Sequence, residues 1–190
     1  MFLWGSRVVN PKKRGLSEVV STLILLVVTI LLAGVVTYYA ISVTFVRTET
    51  EEVRISEAHI WVNSTGAVGA FKVQNLGGRD ILFDKIAVRG VEEPWSDVYY
   101  FRVPSGTSIE ADLNRTSSSG LTGASVTIDG RLYNQSTADI PLISGGEIFV
   151  YVVGPDNVQM DDIGTTVSIS ISTANAQYIK ECNVESGTDQ

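Results

Sequence analysis

Lys12-Lys13-Arg14-Gly15-Leu16-Ser17-Glu18, followed by Val19 to Val46 without a single charge, is the stretch on which the reading of this chain turns. Lys and Arg cross a bilayer poorly, so a basic cluster ahead of an apolar segment stays on the cytoplasmic side and the chain after Val46 faces outward. The run from Val19 to Val46 holds 28 residues. As a helix, at about 1.5 Å per residue, it measures roughly 42 Å against a hydrocarbon core of about 30 Å. Fifteen of the 28 are Val, Ile or Thr, a composition that favours strands in water. A lone strand in lipid would leave its backbone groups unpaired, so the expectation is a helix. Seventeen are Leu, Ile, Val or Phe. At about 0.3 to 0.6 kcal/mol each on the insertion scale, they favour insertion by about 5 to 10 kcal/mol as an upper bound.

Three kinds of amino terminus carry such a segment. A secretory signal peptide has an apolar region of about 7 to 15 residues ending in a small-x-small site. This run is far longer, and only Ala40-Ile41-Ser42 offers a passable site. A permanent single-span anchor holding an outer domain fits the run with no further assumption. The third kind is a prepilin-type leader, cut on the cytoplasmic side so that the whole apolar helix stays on the mature protein. The junction favours it, since Gly15 has no side chain to obstruct an approaching backbone.

The sequence Lys12-Lys13-Arg14-Gly15 followed by Leu16-Ser17-Glu18-Val19-Val20 and a long apolar helix resembles the class III leader of archaeal type IV pilins and archaellins. The resemblance implies cleavage between Gly15 and Leu16 by a membrane aspartyl prepilin peptidase that recognises basic residues before a Gly. It also implies that Glu18 meets a neighbouring amino terminus in assembly, although the acid is third in the mature chain where the bacterial pattern has it fifth. Glu18 has a second reading, because acids are favoured near helix amino termini, where backbone N–H groups carry partial positive charge. Ala33, Gly34, Thr37 and Ala40 interrupt the bulky pattern, and small residues let membrane helices approach closely; Gly and Ala are also simply common in such helices. The length beyond a single span, toward Tyr38, Tyr39 and Phe45, is surface that a filament core would bury, and the tyrosines also suit a membrane interface. Heterologous, non-closing contacts between such helices yield a filament.

Composition changes at Arg47, where Arg47 to Arg54 holds three Glu and two Arg, marking the helix exit and stalk. From Ser56 onward, short segments rich in Val, Ile, Tyr and Phe alternate with Gly, Asn, Asp, Ser and Pro clusters. Strands are expected near Ala58 to Asn63, Ala70 to Gln74, Ile81 to Val88, Val98 to Val103, Ser125 to Ile128, Glu147 to Val153 and Thr165 to Thr173. In the last, Val167, Ile169 and Ile171 alternate with Ser168, Ser170 and Ser172, which predicts one packed and one wet face. The fold class expected is α+β, a long hydrophobic helix followed by an all-β immunoglobulin-like sandwich. The expected organisation is a leader over 1–15, helix and stalk over 16–52, and an outer domain over 53–190. Val73-Gln74-Asn75-Leu76-Gly77-Gly78 and Gly145-Gly146-Glu147-Ile148-Phe149-Val150 also resemble strand and turn stretches of the β-domains of that family. Asn114 to Gly123, rich in Ser, Thr and Gly, reads as an exposed loop.

The chain carries 14 basic and 21 acidic residues, net −7, and loss of the leader with its four basic residues leaves −11. Such acidity argues against nucleic-acid binding, which needs clustered Lys or Arg against phosphate, and favours solubility. A single Cys, Cys182, excludes a disulfide within one chain and suits a small buried hydrophobe. His59 stands without a nearby Cys or His and is a poor metal ligand. Asp156, Asn157, Asp161 and Asp162 lack the spacing of a calcium loop and read as a solvated acidic turn. No nucleophile triad, phosphate loop or His-rich motif is apparent, so neither an enzyme nor a cofactor is expected. Acceptor sequons occur at Asn63, Asn114 and Asn134, where N-linked glycans would coat an outer surface; the same residues also close turns.

Together these readings predict a self-assembling structural subunit, inserted in the cytoplasmic membrane as a precursor with its amino terminus inside. Prepilin peptidase and a pilus assembly machinery would process and export it into an extracellular filament. The resemblance implies an adhesion-type archaeal pilus, with archaellin of a swimming filament as the nearest alternative. An uncleaved single-span protein with an outer β binding domain is the alternative from a different class, and a minor subunit that primes or caps a filament is a further one.

Overall fold

A computed structural model describes residues 11–107, 109–155 and 157–187. The chain is α+β: one long amino-terminal helix, α1 (Pro11–Glu49), precedes a domain of strands. Two compact units divide between Val46 and Arg47. In the first, Leu16–Phe45 is dominated by apolar side chains with Glu18 its one charge, and among the described residues it is the one helix long and apolar enough to cross a membrane, with mean hydropathy 2.9.

The second unit contains, among the described residues, eleven strands: β1 (Val53–Asn63), β2 (Gly66–Asn75), β3 (Ile81–Val88), β4 (Val91–Glu92), β5 (Val98–Arg102), β6 (Ser125–Ile128), β7 (Arg131–Gln135), β8 (Ile140–Leu142), β9 (Glu147–Val153), β10 (Thr166–Thr173) and β11 (Gln177–Ser186). They form one hydrogen-bonded path in the order β4-β3-β10-β11-β1-β2-β9-β5-β7-β6, with β8 on β3. Pairing is antiparallel except between β1 and β11, which run parallel over Ile60 to Val62 against Val184 to Ser186. The path folds over on itself, because Phe71, Val73, Val150 and Val152 from the β1-β2-β9 arm share one core with Phe83, Ile86, Ile169 and Ile171 from the β3-β10 arm. That is a sandwich with a dry interior, each side chain of this size contributing about 1.5 to 3 kcal/mol on burial.

β2 and β9 are buried on both faces. Phe149, Tyr151, Val68 and Ala70 point away from the main core into a second cluster, which Leu113, Leu121, Ile128 and Tyr133 cover from the segment after β5 and from the β6-β7 hairpin. This double burial accounts for the continuous apolar run in β9, where alternation would mean one wet face. The expected exposed loop at Asn114 to Gly123 is therefore half anchored: Leu121 is buried, while most of the polar residues around it face solvent.

β10 differs from its expected pattern. Val167, Ile169 and Ile171 pack inward as alternation requires, but Ser170 is only 7% exposed and Ser168 and Ser172 are half-buried. Ser170 pairs with Ala87 on one side and Ile179 on the other, so its short side chain sits recessed between neighbours. The hydroxyl face is consequently not the wet face that alternation alone predicts.

Candidate functional site

The apolar helix presents its side chains to the surroundings all round: Leu16, Leu25, Leu32, Val35 and Tyr38 are each exposed, Tyr38 by 76%. Successive residues turn by about 100°, so these five positions cover one half of the circumference and Val36, Leu26 and Ile30, also exposed, cover the other, as in a membrane span or a helix at the centre of an assembly. Five of its hydroxyls are turned back on the helix itself. Ser21, Thr22, Thr29, Thr37 and Thr44 donate to the carbonyls of Ser17, Val19, Leu26, Ala33 and Ala40 at 2.8–2.9 Å. These hydroxyls thus ask nothing of a lipid or of a neighbouring helix.

Of the four small residues singled out in the sequence, Ala33, Thr37 and Ala40 fall within about 60° of one another, and Gly34 lies about 100° round from Ala33. Thr22, Thr29 and Thr44 extend the same face, making a stripe of Thr and Ala about 80° wide. Sequence reasoning did not include those three, although Thr22, Ala33 and Thr44 stand 11 residues apart, close to three whole turns. A Cβ at Gly34 would meet nothing within 4 Å. The isolated chain therefore makes no use of the missing side chain, which costs a helix about 1 kcal/mol relative to Ala.

Residues 1–10 of the leader lie outside the described residues, and Lys12, Lys13, Arg14 and Gly15 are described only as helical backbone. The bond between Gly15 and Leu16 lies inside the helix, five residues from its start at Pro11. A peptidase that reads extended backbone must first unwind that end, and Gly is where a helix resists least. Glu18 is also beyond the first turn of this helix. The dipole reading of Glu18 thus applies only to a chain that begins at Leu16, because the effect fades within one turn.

The two domain stretches that carry the looser resemblance meet each other. Asn75, fully buried, donates through Nδ2 to the carbonyls of Arg79 at 2.8 Å and Ile143 at 3.2 Å, and accepts through Oδ1 from Gly77 N–H at 3.0 Å. Its backbone N–H reaches Gly146 and its carbonyl takes Gly145 N–H, both at 3.0 Å. The chain enters the domain against this knot. Leu76 and Gly77 N–H donate to Glu52, Gly78 N–H donates to Thr50, and the Glu51 carboxylate accepts from Thr173 Oγ1 and from Asn175 Nδ2. A Cβ on Gly77 would lie 2.5 Å from the Thr50 carbonyl, so only glycine permits this approach.

The remaining sequence candidates have structural partners. His59 sits between Asp112 at 3.0 Å and Glu185 at 3.4 Å and stacks on Trp61, whose indole N–H donates to Glu185. Asp162 accepts from Gln159 N–H and from Arg89, which hold its carboxyl below the usual range, backbone bond first. Asn157 donates to the Val88 carbonyl, and Asp161 is exposed; Asp156 lies outside the described residues. Among the described residues no group of three or more His, Cys, Asp or Glu is placed to hold a metal. Cys182 is half-buried against the main core, and burial pushes its thiol up to about 11. The sequons are unlike one another. Asn114 is exposed in a loop, Asn63 is half-buried and accepts from Thr65 N–H and Oγ1, and Asn134 lies in β7 with its Ser136 hydroxyl buried on the Ala138 carbonyl. No protein-family model and no curated protein matches this chain.

Proposed function

We propose that this chain is a structural subunit of an archaeal type IV adhesion-type pilus, cut after Gly15 and assembled through residues 16 to about 52 into an extracellular filament. The observation that carries this reading is the helix Leu16–Phe45, apolar on every face and about 45 Å long where a single span needs about 30 Å. Such a helix holds the precursor in the membrane, amino terminus inside, and then supplies an adhesive interior when subunits pack side by side. Gly34 supports the reading, since its missing side chain serves nothing in the isolated subunit and favours close helix approach. The basic cluster before Gly15 supports cleavage by a prepilin peptidase. The β domain is then the outer layer, where the exposed Asn114 is the sequon best placed for a glycan.

Amino-terminal mass spectrometry tests this, on protein sheared from the cell surface and separately on membranes. The expected result is a chain starting at Leu16 in sheared fibres. A chain that starts at Met1 and stays with membranes would overturn the filament reading in favour of an anchored outer domain. A motility assay on cells lacking the chain then separates pilus from archaellin.

A further inference from the structure

On the outer face of β2, Lys72 lies almost out of solvent between two carboxylates. Its Nζ is 3.1 Å from Glu147 Oε1 and 3.9 Å from Glu57 Oε1, and the side chains of Lys72 and Glu147 are 12% and 10% exposed. Nζ also donates to the Ile109 carbonyl at 2.7 Å and stands 5.6 Å from the centre of the Phe149 ring. One cation thus faces two acids in an apolar setting, and the acids are poorly served. Glu147 Oε1 and Glu57 Oε2 are buried without a hydrogen bond, so the contact at 3.1 Å brings the charges together off the donor direction. A buried ionic network only partly satisfied is costly.

Glu57 is held in place at some expense. It has φ 48°, a left-handed conformation rare for a residue with a side chain, at the bulge where β1 shifts register between Ser56 and His59. Strained backbone that aims a titratable group at a buried pair is a mark of function.

We propose that Lys72 and Glu147 become joined by an intramolecular amide bond, with Glu57 carrying the protons. The Lys72 nitrogen, once Glu57 has taken a proton from it, attacks the carboxyl carbon of Glu147. A C–N bond forms and a C–O bond breaks. Two of the three ammonium hydrogens leave with one Glu147 oxygen as water, and the third remains as the amide N–H, still facing the Ile109 carbonyl. Glu57 receives and returns protons and ends as it began, and no oxidant or reductant is required. Contact distance at the start supplies the proximity such a condensation needs. The product replaces two buried opposite charges by one neutral amide, which removes their desolvation cost. Glu147 also lines a cleft of about 450 Å³ with Gln74, Arg102 and Ser144, an exit for the water. The link would tie β2 to β9 in the middle of the sheet, in a chain whose one cysteine allows no internal disulfide.

The test is denaturing mass spectrometry with tryptic mapping of the full chain extracted from membranes or fibres, and it reads the bond whatever the chain's role. The expected mass, for a chain starting at either Met1 or Leu16, is lower by one water than that of the linear chain from that residue. The peptides that contain Lys72 and Glu147 appear as one branched species, uncut after Lys72. Glu57→Gln, with an unchanged circular dichroism spectrum, restores the full mass and the separate peptides. Separate peptides of full mass from the unaltered chain would overturn the proposal, and a bond still formed in Glu57→Gln would overturn the part given to Glu57.

Discussion

Asn75 is the residue with most at stake in the domain. Its fully buried amide donates to two carbonyls and accepts from one N–H, and its backbone joins the turn after β8. Replacing it by Ala removes all three of these bonds from a fully buried side chain, each worth about 0.5 to 1.5 kcal/mol, so Asn75→Ala is expected to cost about 2 kcal/mol or more. Urea unfolding followed by tryptophan fluorescence measures it; an unchanged midpoint would mean that water or a shifted turn replaces the amide. The sequence held a trace of this knot in the two stretches of looser resemblance, but it gave no hint that they touch. Pairing between residues 75 and 145 is a long-range fact, set by how the sheet folds rather than by either segment. The cluster of Lys72, Glu57 and Glu147 was illegible for the same reason, since three ordinary charged residues become unusual only once burial brings them together.

At the scale of elements, the strands that were legible are those with dense apolar content. Ile81–Val88, Ser125–Ile128 and Glu147–Val153 begin and end where their composition does. β11 was not, because Gln177, Lys180, Glu181 and Asn183 dominate a strand of which Tyr178, Cys182 and Val184 face the core. β4 and β7 were missed although their turns carried a signal: Arg89-Gly90 and Asp129-Gly130 both have φ above zero at each residue, the form that closes two-residue hairpins. The helix was the easiest element, since only a helix satisfies its own backbone in lipid. Its packing can be probed apart from its insertion. A lysine at mid-span costs about 2.5 to 3.5 kcal/mol in a membrane, less than the upper bound of about 5 to 10 kcal/mol favouring insertion. Leu31→Lys is therefore expected to stay in the membrane fraction after alkaline extraction. In a filament core the same charge would be buried without a partner, so sheared fibres should be lost. Normal fibre yield would place this face of the helix outside any packed core.

At the scale of the whole molecule, the two units make different demands. Every residue of both domain cores lies from Val53 onward. A fragment from Thr50 to Gln190 keeps the contacts of Thr50, Glu51 and Glu52 with the domain, and it should fold as a water-soluble monomer. Its stability should fall at alkaline pH for a reason that can be traced. Burial pushes Cys182 up to about 11 and Tyr133 up to about 12, and moves Tyr151 upward as well. In the unfolded chain the thiol ionises near pH 8.5 and the tyrosines near about 10. The folded state thus holds these protons more tightly, a contribution fully present below the unfolded values. It is lost as pH rises through 11 and 12. Urea midpoints of the fragment should accordingly hold steady up to about pH 8 and decline steadily above about 9. Tyr133→Phe removes one of these groups, so the decline above pH 10 should become shallower even if the variant is less stable at neutral pH. An identical slope in the variant would mean that Tyr133 loses its proton in the fold at the same pH as in the unfolded chain, and with it that the second cluster is wet.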